Sequence, residues 1–251
     1  MAFIAVTELS GTINERKLSG LMPILEAVEK SSRVRGLLIH MNSSGGEANA
    51  SEILFRKVRA IREKKPVISY VSGMCASGAY WVASASNRIY SMETSLVGSI
   101  GVISITPNVR KLLEKIGIDV QVSKAGKYKD LLNPFSEATE EGKQKMLHII
   151  DSAYQSFWKS VSAERKIPDD QRDAIATGEV FTSEDAVKLG LVDSIGGYNE
   201  ALSEIRKISG IKKTRFIAPR KTFVSRFIGM AVKDTVLETL DASLGYWISL
   251  Q

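Results

Sequence analysis

Short apolar runs rich in β-branched residues alternate with amphipathic stretches of helical spacing along most of the chain, and this alternation restricts the fold more than any other feature. "FIAVTELSG" reads as a strand, "LSGLMPILEAVEK" as a helix with Leu21, Ile24, Leu25 and Val28 on one face, and "VRGLLIHM" as a second strand that ends at "NSSGG". A helix from about Ala48 to Glu63 precedes the strand "PVISYVS", and another helix starts near Ser77. "RIYSM", "VGSIGVIS" and "IDVQVSK" are further strand candidates, with the amphipathic "VRKLLEKIG" between the last two. From Glu137 to about Arg165 the apolar stripe Met146, Ile149, Ile150, Ala153, Phe157 and Val161 predicts a longer helix. "TSEDAVKLGLV" predicts a helix that starts at Thr182 or Ser183 and stops at Gly190. Strands and helices alternating at this spacing build α/β folds whose strands are covered on both faces.

The 251 residues suffice for one full core with a tail. From Arg206 to Arg226 the chain carries eight Lys or Arg and no acid, and an amphipathic segment follows with Phe227, Ile228, Leu237, Leu240, Leu244 and Trp247 on one face. These expectations divide the chain into a domain over 1–205 and a basic, amphipathic appendage over 206–251. A single cysteine, Cys75, excludes an intrachain disulfide, and two histidines are too few for the usual zinc clusters. No apolar run approaches the length of about 20 residues that a membrane-crossing helix requires. The net charge of +6 does not by itself imply nucleic acid, and the basic stretch lacks interleaved recognition motifs. "NSSGG" is neither a phosphate-binding loop nor a dinucleotide fingerprint, so no cofactor is expected.

One stretch carries chemistry of two possible kinds. In "SGMCASGAYWVASAS", Ser77 stands between Ala76 and Gly78 at a strand-to-helix turn. Small neighbours let backbones approach closely, so the serine is either a spacer or a nucleophile presented at a helix start. Glycine two places before and after would make a nucleophile elbow, but Cys75 and Ala79 occupy those positions. A catalytic serine needs a base. His40 lies inside an apolar strand and His148 on the long helix, whereas Lys124, Lys127 and Lys129 share a loop. A lysine serves as base where burial lowers its pKa from about 10.4 toward 7–8.

"NSSGG", "CASGAYWVASASNRIYSMETSLVGSIGVI", "AGKYKDLLNPF" and "GEVFTSEDAVKLGLVDSIGG", in this order, resemble the signal peptide peptidase A family of serine–lysine peptidases. The resemblance covers most of residues 1–200. It implies a Clp protease/crotonase-like α/β fold, a superhelical ββα core, here followed by a further C-terminal helical segment. By motif match it makes Ser77 the nucleophile, Lys129 the general base and Ser99 the residue that orients the lysine amine. The oxyanion hole falls on the Gly46 amide, with Gly45 beside it, and on the main chain at Ser77 or Gly78. The family's usual proline before the glycine pair is Ser44 here, and its frequent third glycine is Glu47.

The resemblance further implies ring- or dome-like homo-oligomers with each site shared between adjacent protomers, and hydrophobic peptides such as remnant signal peptides as substrates. Met74, Tyr80 and Val97, close to Ser77 in sequence, are candidates for an apolar substrate pocket. The family's usual N-terminal anchor has no counterpart in these residues, so the expected location is membrane-associated, or cytoplasmic if no anchor is missing. The basic stretch and amphipathic tail suit contact with an anionic membrane surface. Two other readings remain open: a crotonase-like acyl-CoA enzyme, which would need acidic catalytic residues and a nucleotide pocket, and an inactive ring-forming binding protein.

Overall fold

A computed structural model describes residues 1–218. Its elements follow the sequence pattern closely in the first third. Strands β1 (Phe3–Ser10), β2 (Val34–Ser43) and β3 (Val67–Ala76) alternate with helices α1 (Glu15–Lys30) and α2 (Ala48–Arg62), and α3 (Gly78–Ser84) follows β3 directly. Next come β4 (Arg88–Ser91), β5 (Leu96–Gly98), α4 (Arg110–Lys115), α5 (Glu140–Arg165), α6 (Arg172–Ile175) and β6 (Val180–Thr182). The last elements are α7 (Ser183–Lys188), β7 (Ser194–Ile195), α8 (Tyr198–Ser209) and β8 (Thr214–Phe216).

The strands form one sheet in the order β6-β5-β3-β2-β1-β8, with β4 pairing β3 and β7; every pairing is parallel except β5 with β6. Strand β3 changes partner along its length: Ile68–Val71 pair with β4 and Met74–Ala76 with β5. Period-2 alternation divides β1 between two apolar layers. Phe3, Ala5 and Leu9 pack under α1, α2 and α3, while Ile4 and Val6 face α8 through Ala201, Leu202 and Ile205. Local chemistry sets the helix ends. The Asn14 side chain accepts from the Lys17 amide at the start of α1, Thr182 accepts from the Asp185 amide at the start of α7, and Gly210 ends α8 at φ 69°.

Three expectations are corrected. Residues 118–124 form no strand; Ile118, Val120 and Val122 are exposed, and no strand among the described residues lies beside them to complete a ladder. "VGSIGVIS" is a strand only over Leu96–Gly98, and Ile103 and Ile105 stand 81% and 84% exposed. Only the far end of the α5 stripe packs internally: Phe157 and Val161 are buried, but Ile149 is exposed, as the other described residues cover only that end.

The boundary at residue 205/206 also moves. It falls inside α8, and β8 pairs with β1, so the folded unit runs to Ile217. Ile205 is fully buried and Ile211 packs beside it, which ties the basic segment to the sheet despite its charge. The amphipathic segment expected after Arg226 lies outside the described residues.

Candidate active site

The C-terminal ends of β2, β3 and β5 converge, and the turns that leave them build the site. The register pairs Ala76 with Gly98, so Ser77 and Ser99, each one residue further on, are brought side by side. Both have φ 52°, and with Lys166 they are the non-glycine residues at positive φ among those described. For an L-residue such a backbone costs on the order of 1–3 kcal/mol, and it persists only where the surroundings enforce it. Here they do. The Ser77 amide donates to the Gly98 carbonyl at 2.7 Å, its carbonyl accepts from the Trp81 amide at 3.0 Å, and the Ser99 amide donates to the Glu179 carbonyl at 2.6 Å.

The glycine pair after β2 presses against the same turn. Gly45 and Gly46 have φ 93° and 153°, and Ser43 Oγ steadies the loop by accepting from the Gly45 amide at 3.1 Å and donating to the Gly11 carbonyl. A Cβ on Gly45 would sit 2.8 Å from Ser77 Cβ and 2.8 Å from the Gly78 nitrogen; one on Gly46 would sit 2.0 Å from the Ile13 carbonyl oxygen. Only glycine fits at either position. The bridge between Ile13 and Gly46 runs through the Gly45 carbonyl and the Glu47 amide, which leaves the Gly46 N–H out of it. A Cβ on Gly78 would lie 3.6 Å from the Gly46 nitrogen, so the two glycine backbones are neighbours. A cavity of about 340 Å³ opens here, lined by Thr12, Gly46, Ser77, Ser99, Ile103 and Gly178, with Ser44 and Gly45 at its wall. This arrangement can present one hydroxyl to a carbonyl carbon, with a second hydroxyl beside it and unpaired amides within the same small space.

The expected lysine is placed elsewhere. Lys129 is exposed on a turn whose amide donates to the Gly126 carbonyl, and it does not line the cavity. Its loop neighbours are engaged: Lys127 pairs with Glu141 and Lys124 with Asp130, each at 2.6 Å. The Glu141 carboxylate pushes the Lys127 pKa up and so favours its charged form, the wrong direction for a base. Among the described residues Lys129 has no carboxylate partner.

The substrate-pocket candidates are not brought to the cavity. Tyr80 is fully buried and donates its hydroxyl to the Leu191 carbonyl at 2.8 Å, while burial pushes its pKa up. Val97 is also fully buried, and Met74 is half-buried with its amide on Asn42 Oδ1. None of the three lines the cavity, and Tyr80 and Val97 belong to the core. Thr12, Ile103 and Gly178 line it instead, and sequence reasoning missed all three; the turns that place them, with Gly11 and Gly178 at positive φ, show only in the structure. His40 is occupied, with Nε2 2.6 Å from Ser72 Oγ and its ring stacked on Tyr70, and His148 is exposed on α5.

The family model of peptidase family S49 matches residues 59–212. A relative from Methanocaldococcus jannaschii is 39% identical over 194 residues, covering 77% of this chain and 62% of its own length. The chloroplastic serine protease SPPA of Arabidopsis thaliana is 32% identical over 192 residues, 76% of this chain and 28% of the relative. The chain thus spans less than two thirds of either relative. Among solved structures, the 1510-N membrane-bound stomatin-specific protease in a mutant form superimposes with a TM-score of 0.56 at 18% identity, over 87% of this chain and 99% of that one. ClpP1 from Listeria monocytogenes gives 0.54 at 14% identity, over 78% and 93%. At these identities the structures show a shared fold, the Clp protease-like α/β architecture.

Proposed function

We propose, since the chain belongs to peptidase family S49, that it is a serine endopeptidase with a Ser77–Lys129 dyad that cleaves hydrophobic peptides such as remnant signal peptides. The observation that carries this reading is the forced pairing of Ser77 and Ser99, both at φ 52°, over a cavity walled by Gly46. A packing spacer gains nothing from a strained backbone, so the strain at both serines supports a role for their hydroxyls. In the reaction, neutral Lys129 takes the Ser77 proton as Oγ attacks the scissile carbonyl, and the resulting ammonium later protonates the leaving amine. Ser99 orients the lysine amine, and the Gly46 and Gly78 amides stabilise the tetrahedral oxyanion. Water then releases the acyl group from Ser77 Oγ with Lys129 again as base.

Lys129 reaches the cavity from an adjacent protomer. Two facts support a homo-oligomer with shared sites: Lys129 stays outside its own chain's cavity, and the same segment carries exposed Ile103, Ile105, Leu112, Leu132 and Leu147. A second copy would remove these apolar surfaces from water. No helix among the described residues is long and apolar enough to cross a membrane. The basic stretch over 206–226 would add contact with an anionic lipid surface.

The test is labelling with a fluorophosphonate, read by peptide mapping, together with turnover of a quenched hydrophobic peptide. The reading requires the label on Ser77, protection by that peptide, and loss of both label and turnover in Ser77→Ala. Turnover surviving in Ser77→Ala would refute it.

A further inference from the structure

The strands of a parallel sheet all start at one end, and here that end is strongly basic. The Phe3 amide donates to the Arg33 carbonyl and the Ile4 amide to the Lys213 carbonyl, so Arg33 and Lys213 flank the start of β1 from its two neighbours. Arg35 falls at the register shift between β1 and β2, and Lys212 directly precedes Lys213. Arg206 Nε donates to the Lys212 carbonyl, which draws the end of α8, with Lys207, to the same place. All six side chains are exposed, and none has a carboxylate partner among the described residues.

Two of the carboxylates nearby are engaged by other lysines. Glu29 is held by Lys57 and Lys64 at 3.0 and 2.6 Å, and Glu26 by Lys30; Glu63 is exposed. At the start of β3, Lys65 has its pKa lowered, first by burial and then by the charge of Lys64, with Glu29 opposing and Arg35 adding to the effect, so Lys64 and Arg35 act at the same place. Apolar side chains stand among them. Ile208 is 48% exposed between Lys207 and Lys212, and Phe216 is 62% exposed beside Arg215.

We propose that the N-terminal end of the sheet, through Arg33, Arg35, Lys207, Lys212 and Lys213, is a docking face for an anionic lipid surface. Cations near such a surface each gain about fivefold in partitioning, and exposed apolar side chains between them enter the interface. Nucleic acid would use the cations but leave Ile208 unmatched. This deepens the lipid contact proposed above by placing it on the folded unit, with Arg33 and Arg35 lying outside the basic stretch. It also orients the enzyme. The catalytic cavity lies past the other ends of β2 and β3, and a ten-residue strand spans on the order of 30 Å. A docked enzyme therefore takes peptide segments already released from the bilayer, not segments lodged in it.

The experiment is co-sedimentation of the full chain with vesicles of phosphatidylcholine alone or with about 30% phosphatidylglycerol, which makes the surface negative, at low and high salt. Wild type should bind only the anionic vesicles and release in high salt. Arg33→Gln/Arg35→Gln should lower partitioning at least about tenfold, and adding Lys212→Gln/Lys213→Gln should abolish it, with peptide turnover in solution and thermal unfolding unchanged. If wild type binds and Arg33→Gln/Arg35→Gln binds equally, the face is refuted while a contact through 206–226 stands. Absence of wild-type binding, equal binding to neutral vesicles, or preference for a nucleic-acid oligomer over vesicles refutes lipid docking altogether, and turnover is read independently of each.

Discussion

Replacing Ser77 with glycine, rather than with alanine, separates the strain at this residue from its chemistry. At φ 52° and ψ −127° a side chain with a Cβ is held in a region that costs on the order of 1–3 kcal/mol, and alanine inherits that cost while losing the hydroxyl. Glycine adopts the same backbone freely, against an unfolded-state entropy penalty of about 0.4–1 kcal/mol. The difference leaves Ser77→Gly more stable than Ser77→Ala by about 1 kcal/mol, or about 2–4 °C in Tm for a domain of this size. The assay is thermal unfolding of the two inactive variants at one protein concentration, because assembly makes Tm depend on concentration. A Ser77→Gly variant that melts at or below Ser77→Ala would refute the claim that the fold forces this residue into a strained turn.

Three further outcomes follow from named contacts. Gly46→Ala should lower kcat by at least about 10²-fold, through loss of an oxyanion donor and displacement of a loop in which the new Cβ would meet the Ile13 carbonyl at 2.0 Å; steady-state kinetics with a hydrophobic peptide reads it. Tyr80→Phe should cost about 1 kcal/mol in denaturant unfolding while leaving the peptide preference of the enzyme unchanged, since its hydroxyl serves the Leu191 carbonyl; a changed preference would return Tyr80 to the substrate pocket. Lys64 and Lys57 hold the Glu29 carboxyl at about 2, below its ordinary 4.5, so its stabilising contribution is full above pH 4.5 and is lost as pH falls toward 2. The Tm gap between wild type and Glu29→Gln should therefore close over that window, and a gap constant with pH would contradict the pairing.

The alternation of β1, α1, β2, α2 and β3 was legible because this chain covers those elements itself, so each period meets a partner on the same molecule. "IDVQVSK" and the first half of α5 have the right periods but no partner among the described residues, and periodicity does not tell where a partner comes from. The end of α8 and β8 was hidden by charge: Lys213 and Arg215 read as part of a basic appendage, yet Lys213 directly precedes, and Arg215 lies in, a strand that pairs with β1. Within the site, Ser77 was recognisable from its small neighbours and from the family resemblance. Its proximity to Ser99 depends on the pairing of Ala76 with Gly98, and the approach of Gly45 depends on β2 lying beside β3; neither follows from spacing along the chain. Thr12 and Gly178 carried no chemical signal at all.

The central claim is that Ser77 of one protomer works with Lys129 of the next. Its most direct measurement is peptide turnover by Ser77→Ala, by Lys129→Ala, and by the two variants unfolded and reassembled together, with oligomer size followed throughout. The account predicts assemblies of wild-type size, no turnover from either variant alone, and recovered turnover in the mixture, where some sites combine an intact serine with an intact lysine. Turnover by Lys129→Ala at the wild-type rate, or mixed assemblies that form and stay inactive, would contradict it.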